Sequence, residues 1–351
     1  MQFITRNNKN IHPLLDELDN LYHSLSNTDS EIPLFSHSYS SCFKELVNIF
    51  NEHIKPARIV KYRVIEYDKL DLPEYDSKNI IICFSGGKDS IATVLHYKEL
   101  GYNIYLYYMK GINKCYPNEH KTVQKVADYL CLPLFIDEIK LSGNHQYIEH
   151  PMKNMIIANG VLSYGISEGI GTNIAFGNYY TSMLSDNPFE ICAGDCKDMW
   201  EIYERIIRNI IPNFKIHIPL QNINTSLEAL LEDKHLLELS QSCIGTHRFR
   251  EYKRKMNIEK YNVELMPGRC GCCWKCAVEY IYYTDHNILC YNKMYYKYCL
   301  QVLLNTIITE GNTVYSIEEL WTEFMFYDIK QSKLQEVQDA TIQGKKIKYP
   351  K

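Results

Sequence analysis

Apolar residues recur along this chain in two registers, and the change from one to the other marks its organisation. Leu14, Leu15, Leu18, Leu21 and Tyr22 fall at helical spacing, as do Phe43, Leu46, Val47, Phe50 and Ile54, which predicts two amphipathic helices near the start. Residues 59–67 alternate towards a strand, and Leu72-Pro73-Glu74 breaks the chain before the next apolar run. From residue 79 short apolar runs alternate with helix-spaced stretches: runs at 80–84, 104–109, 134–139 and 173–176, helical patterns at 90–100, 120–130 and 154–168. Runs without polar alternation belong to strands buried on both faces, so the pattern predicts an α/β fold with a doubly wound, mostly parallel sheet. Beyond it the spacing predicts helices over 200–211, 226–239, 280–308 and 317–327, a short strand over 216–220, and a frayed tail from 344.

The first apolar run breaks at Phe84-Ser85-Gly86-Gly87-Lys88-Asp89-Ser90 and passes into the helical spacing of Ile91, Ala92, Val94 and Leu95. A glycine-rich turn between a parallel strand and a helix is an anion cradle, because the glycines admit a phosphate close to the backbone and the helix N-terminus favours negative charge. Ser85, Lys88 and Ser90 add donors, while Asp89 either caps the helix or reaches a metal ion. The order of residues is not that of a Walker A loop, which argues against a kinase or GTPase. The bland alternative is a tight turn with incidental glycines.

A second constellation lies downstream at Cys270-Gly271-Cys272-Cys273-Trp274-Lys275-Cys276, with a lone Cys243 before it. Cys270, Cys273 and Cys276 have the spacing at which sulfurs converge on one ion, and Cys243 can supply a fourth ligand, leaving Cys272 as the spare. Four thiolates would close a structural zinc site with no open position for water. An iron–sulfur cluster is the rival occupant. Disulfides fit less well, since the thirteen cysteines are an odd number and the start of the chain carries no secretory pattern.

Together, Ser-Gly-Gly-x-Asp-Ser and Cys-Gly-x-Cys-x-x-Cys resemble the ATP pyrophosphatase (PP-loop) superfamily and, within it, the 7-cyano-7-deazaguanine synthases that make a queuosine and archaeosine precursor. Pro151-Met152-Lys153-Asn154 resembles the family's Pro-x-Arg-Asn element, and Gly177-Asn178 followed by Asp195-Cys196-Lys197 resembles its Gly-x-Asn and Asp-Cys-Arg elements. The resemblance runs from about residue 79 to about residue 283. It implies an adenine nucleotide alpha-hydrolase (HUP-like) sheet and an ATP-dependent C–N ligase using ATP, magnesium and a structural zinc. It further implies ATP contacts from Phe84 to Ser90 and from Met109, with Ser85, Lys88, Asp89 and Ser90 catalytic. Substrate contacts would come from Asn154, Gly177, Asn178, Asp195 and Lys197, with Asp195 accepting hydrogen bonds from the base. Lys153 and Lys197 stand where the family has arginines, which keeps the charge and loses the bidentate fork. The organisation implied is an accessory region over 1–78, a catalytic domain over 79–240, a zinc-binding segment over 241–284 and a helical extension over 285–351.

Composition narrows the class. With 46% hydrophobic and 23% charged residues the chain reads as a cytoplasmic globular protein without membrane-spanning runs. A net charge of −4 argues against broad nucleic-acid binding. The acceptor for the activated deazaguanine carboxylate is ammonia in the resembled family. A protein amine is the alternative, as in relatives from antiviral operons, and the terminal extensions would then dock that partner or a second copy of the chain. Other PP-loop chemistries, tRNA thiolation and sulfonucleotide reduction, fit the glycine loop but not the cysteine motif.

Overall fold

A computed structural model of the protein describes residues 4–7, 9–25, 38–39, 63–64, 68–112, 119–141, 150–178, 197–220, 223–241 and 247–310. Two compact units emerge: residues 1–85 with 93–220, and residues 86–92 with 221–351. Elements of the first are β1 (Ile4–Arg6), α1 (Pro13–Leu25), β2 (Ser38–Tyr39), β3 (Arg63–Val64), β4 (Asn79–Cys83), α2 (Lys88–Glu99, shared with the second), β5 (Asn103–Lys110), α3 (Glu119–Leu130), β6 (Leu134–Leu141), α4 (His150–Ser167), β7 (Ile174–Phe176), α5 (Lys197–Ile207) and β8 (Ile216–His217).

The strands form where the apolar runs lie. Ile80, Ile81 and Ile82 of β4 are all buried, as a central strand covered on both faces requires. The sheet order is β1-β6-β5-β4-β7-β8. Five of these strands, β6, β5, β4, β7 and β8, are parallel throughout. β1 lies antiparallel along the β6 edge, with Ile4 opposite Leu141 and Arg6 opposite Ile139, which covers an otherwise open edge. β2 and β3 make a separate parallel pair.

Helix α1 packs on α4 through Leu14, Leu15 and Leu18, all fully buried in one core with Met155, Ile156 and Leu162. A buried polar cluster sits among these helices. The Asp19 carboxylate accepts from Asn159 Nδ2 at 2.7 Å and Asn10 Nδ2 at 2.9 Å. Tyr203 on α5 donates to Asn159 Oδ1 at 2.8 Å, and Ser163 donates to Asn10 Oδ1 at 3.1 Å. Matched donors and acceptors of this kind remove the penalty of burying them, and here they tie residues 10–19 to the sheet-covering helices.

The second unit adds α6 (Ile223–Glu228), α7 (Lys234–Leu239), α8 (His247–Tyr261), α9 (Trp274–Asp285) and α10 (Lys293–Glu310). The single helix predicted over 226–239 is two, because Asp233 caps a fresh start and accepts from Leu236 N–H at 2.9 Å, as an N-cap does. The helix predicted over 280–308 is likewise divided between α9 and α10, with Asn287 in the left-handed region at φ 61°, a conformation that ends helices. Tyr280 and Tyr295 meet edge to face across these two helices, at 4.6 Å between ring centroids.

Candidate phosphate loop and metal centre

In the first unit, β5 and β6 lie to one side of β4 while β7 and β8 lie to the other. The connections therefore diverge at the carboxyl ends of β4 and β7, the position at which open parallel sheets bind ligands. Cys83 pairs with Phe176, so Ser85 and Asn178 each stand two residues beyond the last paired position. Phe84 is buried and its N–H donates to Tyr107 C=O at 2.8 Å. Ser85 is exposed, and Gly177 and Asn178 are half-buried. Met109 is buried near the end of β5, opposite Asp137. Lys153 and Asn154 are half-buried at the start of α4. Lys197 opens α5, while Asp195 and Cys243 lie outside the described residues.

In the second unit, Gly86 adopts φ 68°, a left-handed turn that favours glycine. Its C=O accepts from Gln241 N–H at 3.1 Å. Gly87 C=O accepts from Ile91 N–H and from Ser90 Oγ, each at 3.0 Å, so α2 begins at Lys88 within the loop, two residues ahead of the helix predicted from 90, and Asp89 lies in its first turn instead of capping it. Lys88 is 2% exposed. Its ammonium pairs with the Asp89 carboxylate and lies 3.4 Å from Ser226 Oγ. Burial pulls the Lys88 pKa down, Asp89 and Glu279 oppose that, and Lys275 adds to the lowering. The Lys88 charge thus has Asp89 as its contacting partner and feels Glu279 and Lys275 as further charges.

The cysteine motif converges. Sγ atoms of Cys270, Cys273 and Cys276 lie within 4.8 Å of one another, with Cys270 to Cys276 at 3.7 Å and Cys273 to Cys276 at 3.4 Å. Thiolates around a tetrahedral zinc at about 2.3 Å are roughly 3.8 Å apart, so the Cys270–Cys276 and Cys273–Cys276 separations are close to those such an ion requires. Gly271 adopts φ 70°, and the Cys272 N–H lies 3.4 Å from Cys270 Sγ, a donor that stabilises a thiolate. Asn257 Nδ2 donates to Cys270 C=O at 3.2 Å and the Tyr295 hydroxyl to Gly271 C=O at 2.6 Å, fixing the turn from α8 and α10. The Cys272 Sγ lies 3.5 Å from Cys270 Sγ, so the spare thiol of the motif sits beside the cluster.

Sequence reasoning passed over Arg269 and Glu279. They form an ion pair, 2.9 Å from Nε to Oε2, at 2% and 1% exposure. Burial works against the guanidinium charge, and Glu279, together with Tyr283 and Cys276, outweighs it and raises the Arg269 pKa. A visible signal existed in the chain: Glu279 is the lone acid inside the otherwise apolar stretch Cys276-Ala277-Val278-Glu279-Tyr280-Ile281.

No protein-family model and no curated protein matches the chain. Fold and site define a class: an α/β protein with a five-stranded parallel sheet, a glycine-rich loop following the central strand, and a cysteine cluster that could hold a metal such as zinc. Among the described residues no helix is long and apolar enough to cross a membrane.

Proposed function

We propose that this chain is an adenylate-forming enzyme of the PP-loop ATP pyrophosphatase type, with a HUP-like sheet, acting on the carboxylate of 7-carboxy-7-deazaguanine. The observation that carries the reading is the place of Ser-Gly-Gly-x-Asp-Ser, directly after the central parallel strand and opening a helix. Backbone N–H groups and Ser85 would hold the triphosphate of ATP there, while the fixed loop keeps the α-phosphorus in line with the substrate carboxylate. A carboxylate oxygen attacks that phosphorus and pyrophosphate leaves. Ammonia then attacks the acyl carbon, AMP departs with the transferred oxygen, and an amide forms. A second activation, on the amide oxygen, loses that oxygen with AMP and gives the nitrile. Magnesium, held on the phosphates, would supply charge neutralisation for the leaving pyrophosphate. Zinc, held by Cys270, Cys273 and Cys276 with Cys243 as a candidate fourth ligand, would supply folding energy to the second unit.

The test supplies the chain with ATP, magnesium, an ammonium salt and 7-carboxy-7-deazaguanine. Equal amounts of AMP and pyrophosphate should appear only when the deazaguanine is present, followed by amide and nitrile in the mass spectrum. AMP and pyrophosphate without nitrile, with an acyl-deazaguanine mass on a co-encoded protein, would move the acceptor from ammonia to a protein amine. Release of ADP and inorganic phosphate would overturn the reading.

A further inference from the structure

We infer that Arg269 is a positioning residue that ties the cysteine turn to the glycine loop, so that loading the turn with metal sets the geometry of the loop. The inference rests on the proposed phosphate-binding role of residues 85–90 for its functional meaning, while the coupling itself stands on contacts within the second unit.

Arg269 immediately precedes Cys270. Its guanidinium is spent on one neighbourhood: Nη2 donates to Ser240 Oγ at 2.8 Å, and Nη1 donates to Ser240 C=O, to Leu237 C=O at 3.2 Å and to Pro267 C=O at 3.1 Å. Ser240 in turn donates from Oγ to Leu237 C=O at 2.7 Å. The next residue, Gln241, donates its N–H to Gly86 C=O in the glycine loop. A continuous path therefore runs from Cys270 through Arg269 and Ser240 to Gln241 and Gly86. Every charged or hydroxyl side chain on it is buried, and a planar fork with donors in fixed directions transmits position better than a flexible ammonium would.

Glu279 closes the path from the other end of the motif. It follows Cys276 by three residues on α9 and accepts from Arg269 Nε, while its Oε1 has no hydrogen-bond partner among the described residues. Lys275, Glu279 and Tyr283 recur at intervals of four on α9 and share one face. Lys275 and Glu279 act on the charge of Lys88, and Tyr283 donates to Leu227 C=O at 3.5 Å, next to the Ser226 that Lys88 approaches. The metal-binding turn opens α9, with Cys273 as its N-cap. Loss of metal would free both ends of the Arg269–Glu279 pair together.

A merely structural alternative exists, since the Arg269 contacts with Leu237 and Ser240 also cap the end of α7. Amide hydrogen exchange separates the two. The full chain is compared as purified and after chelation, alongside Arg269→Lys, Glu279→Gln, and Tyr203→Phe as a destabilised control in the first unit. Coupling requires that Arg269→Lys, still loaded with metal, exchange about tenfold faster at the Gln241 and Ile91 amides, the scale of one lost hydrogen bond. Chelation of the unmutated chain should do the same, chelation of Arg269→Lys should add little, and Tyr203→Phe should leave those amides alone. Faster exchange confined to 236–240, with Gln241 and Ile91 protected as before, would reduce Arg269 to a helix cap and overturn the inference. Should Arg269→Lys fail to fold, Glu279→Gln carries the same comparison. Titration with an ATP analogue in parallel keeps the readings distinct: a chain that shows the exchange coupling yet binds no nucleotide refutes the function proposed for the loop and leaves the coupling standing.

Discussion

Asp89 and Ser85 occupy neighbouring places in the sequence motif but different physical situations. Ser85 is exposed, so Ser85→Ala should abolish pyrophosphate release with a smaller loss of melting temperature than a change at Asp89. Asp89 partners the buried ammonium of Lys88, and Asp89→Ala should also cost about 1–3 kcal/mol, because it removes the nearest countercharge of a buried cation. Equal melting temperatures for the two variants would refute that distinction. His217 supplies a pH dependence of the first unit. Burial, and next Lys215, lower its pKa below 6.5, and burial lowers that of His12 against the opposing pull of Asp68. A depressed histidine pKa means that the unfolded chain binds the proton more readily, so the stability contribution is full above pH 6.5 and declines as pH falls below it. Denaturation midpoints measured down the acid range should drop, and His217→Gln should flatten part of the drop. A variant with the same slope as the parent would show that His217 does not contribute.

Among the elements, the strands of the parallel sheet were legible because continuous apolar runs of isoleucine and tyrosine have few other places to go, and β4, β5 and β6 stand where the runs stand, whereas the short edge strand β1 has no such run. Helix breaks were less legible. Asp233 and Asn287 end or restart helices through one capping bond or one left-handed residue, a signal too local for apolar spacing to register. Helix α8 escaped the periodicity altogether, since Arg248, Arg250, Lys253, Arg254, Lys255 and Lys260 dominate it, and tertiary partners such as the Arg254 bond to Leu265 C=O at 2.7 Å hold it in place. The spacing of Cys270, Cys273 and Cys276 was readable, while Cys243 lies outside the described residues, and the geometry of the three leads to an element-level outcome. Cys273→Ser removes a candidate ligand while leaving a good N-cap residue at the start of α9, so purified protein should lose its metal, and an earlier melt would come from lost metal and not from a lost cap. Cys272→Ser should retain the metal. Metal analysis that finds the reverse order would contradict the assignment of Cys270, Cys273 and Cys276 as ligands.

Taken as a molecule, the chain uses its start more intimately than spacing alone could show. Amphipathic periodicity announced α1, yet its burial against α4 and the Asp19, Asn159 and Tyr203 cluster depends on residues some 140 positions apart. Leu15→Ala should therefore cost about 2–5 kcal/mol, and removal of residues 1–25 should unfold the first unit instead of leaving a working core. A truncated chain with native stability would overturn this. The same long-range dependence explains why the sequence did not reveal that 86–92 cluster with 221–351, or that a buried arginine lies between the cysteine turn and the glycine loop. Of the 29 tyrosines, Tyr107, Tyr203, Tyr283 and Tyr295 are buried core residues with bonded hydroxyls.

Adenylation of a carboxylate is the central chemical claim, and the fate of the carboxylate oxygen tests it most directly. With 7-carboxy-7-deazaguanine carrying heavy oxygen in its carboxylate, the AMP formed with pyrophosphate should carry one labelled oxygen, because that oxygen bridged carbon and phosphorus before nitrogen displaced it. Unlabelled AMP, or nucleotide turnover indifferent to the deazaguanine, would contradict the claim.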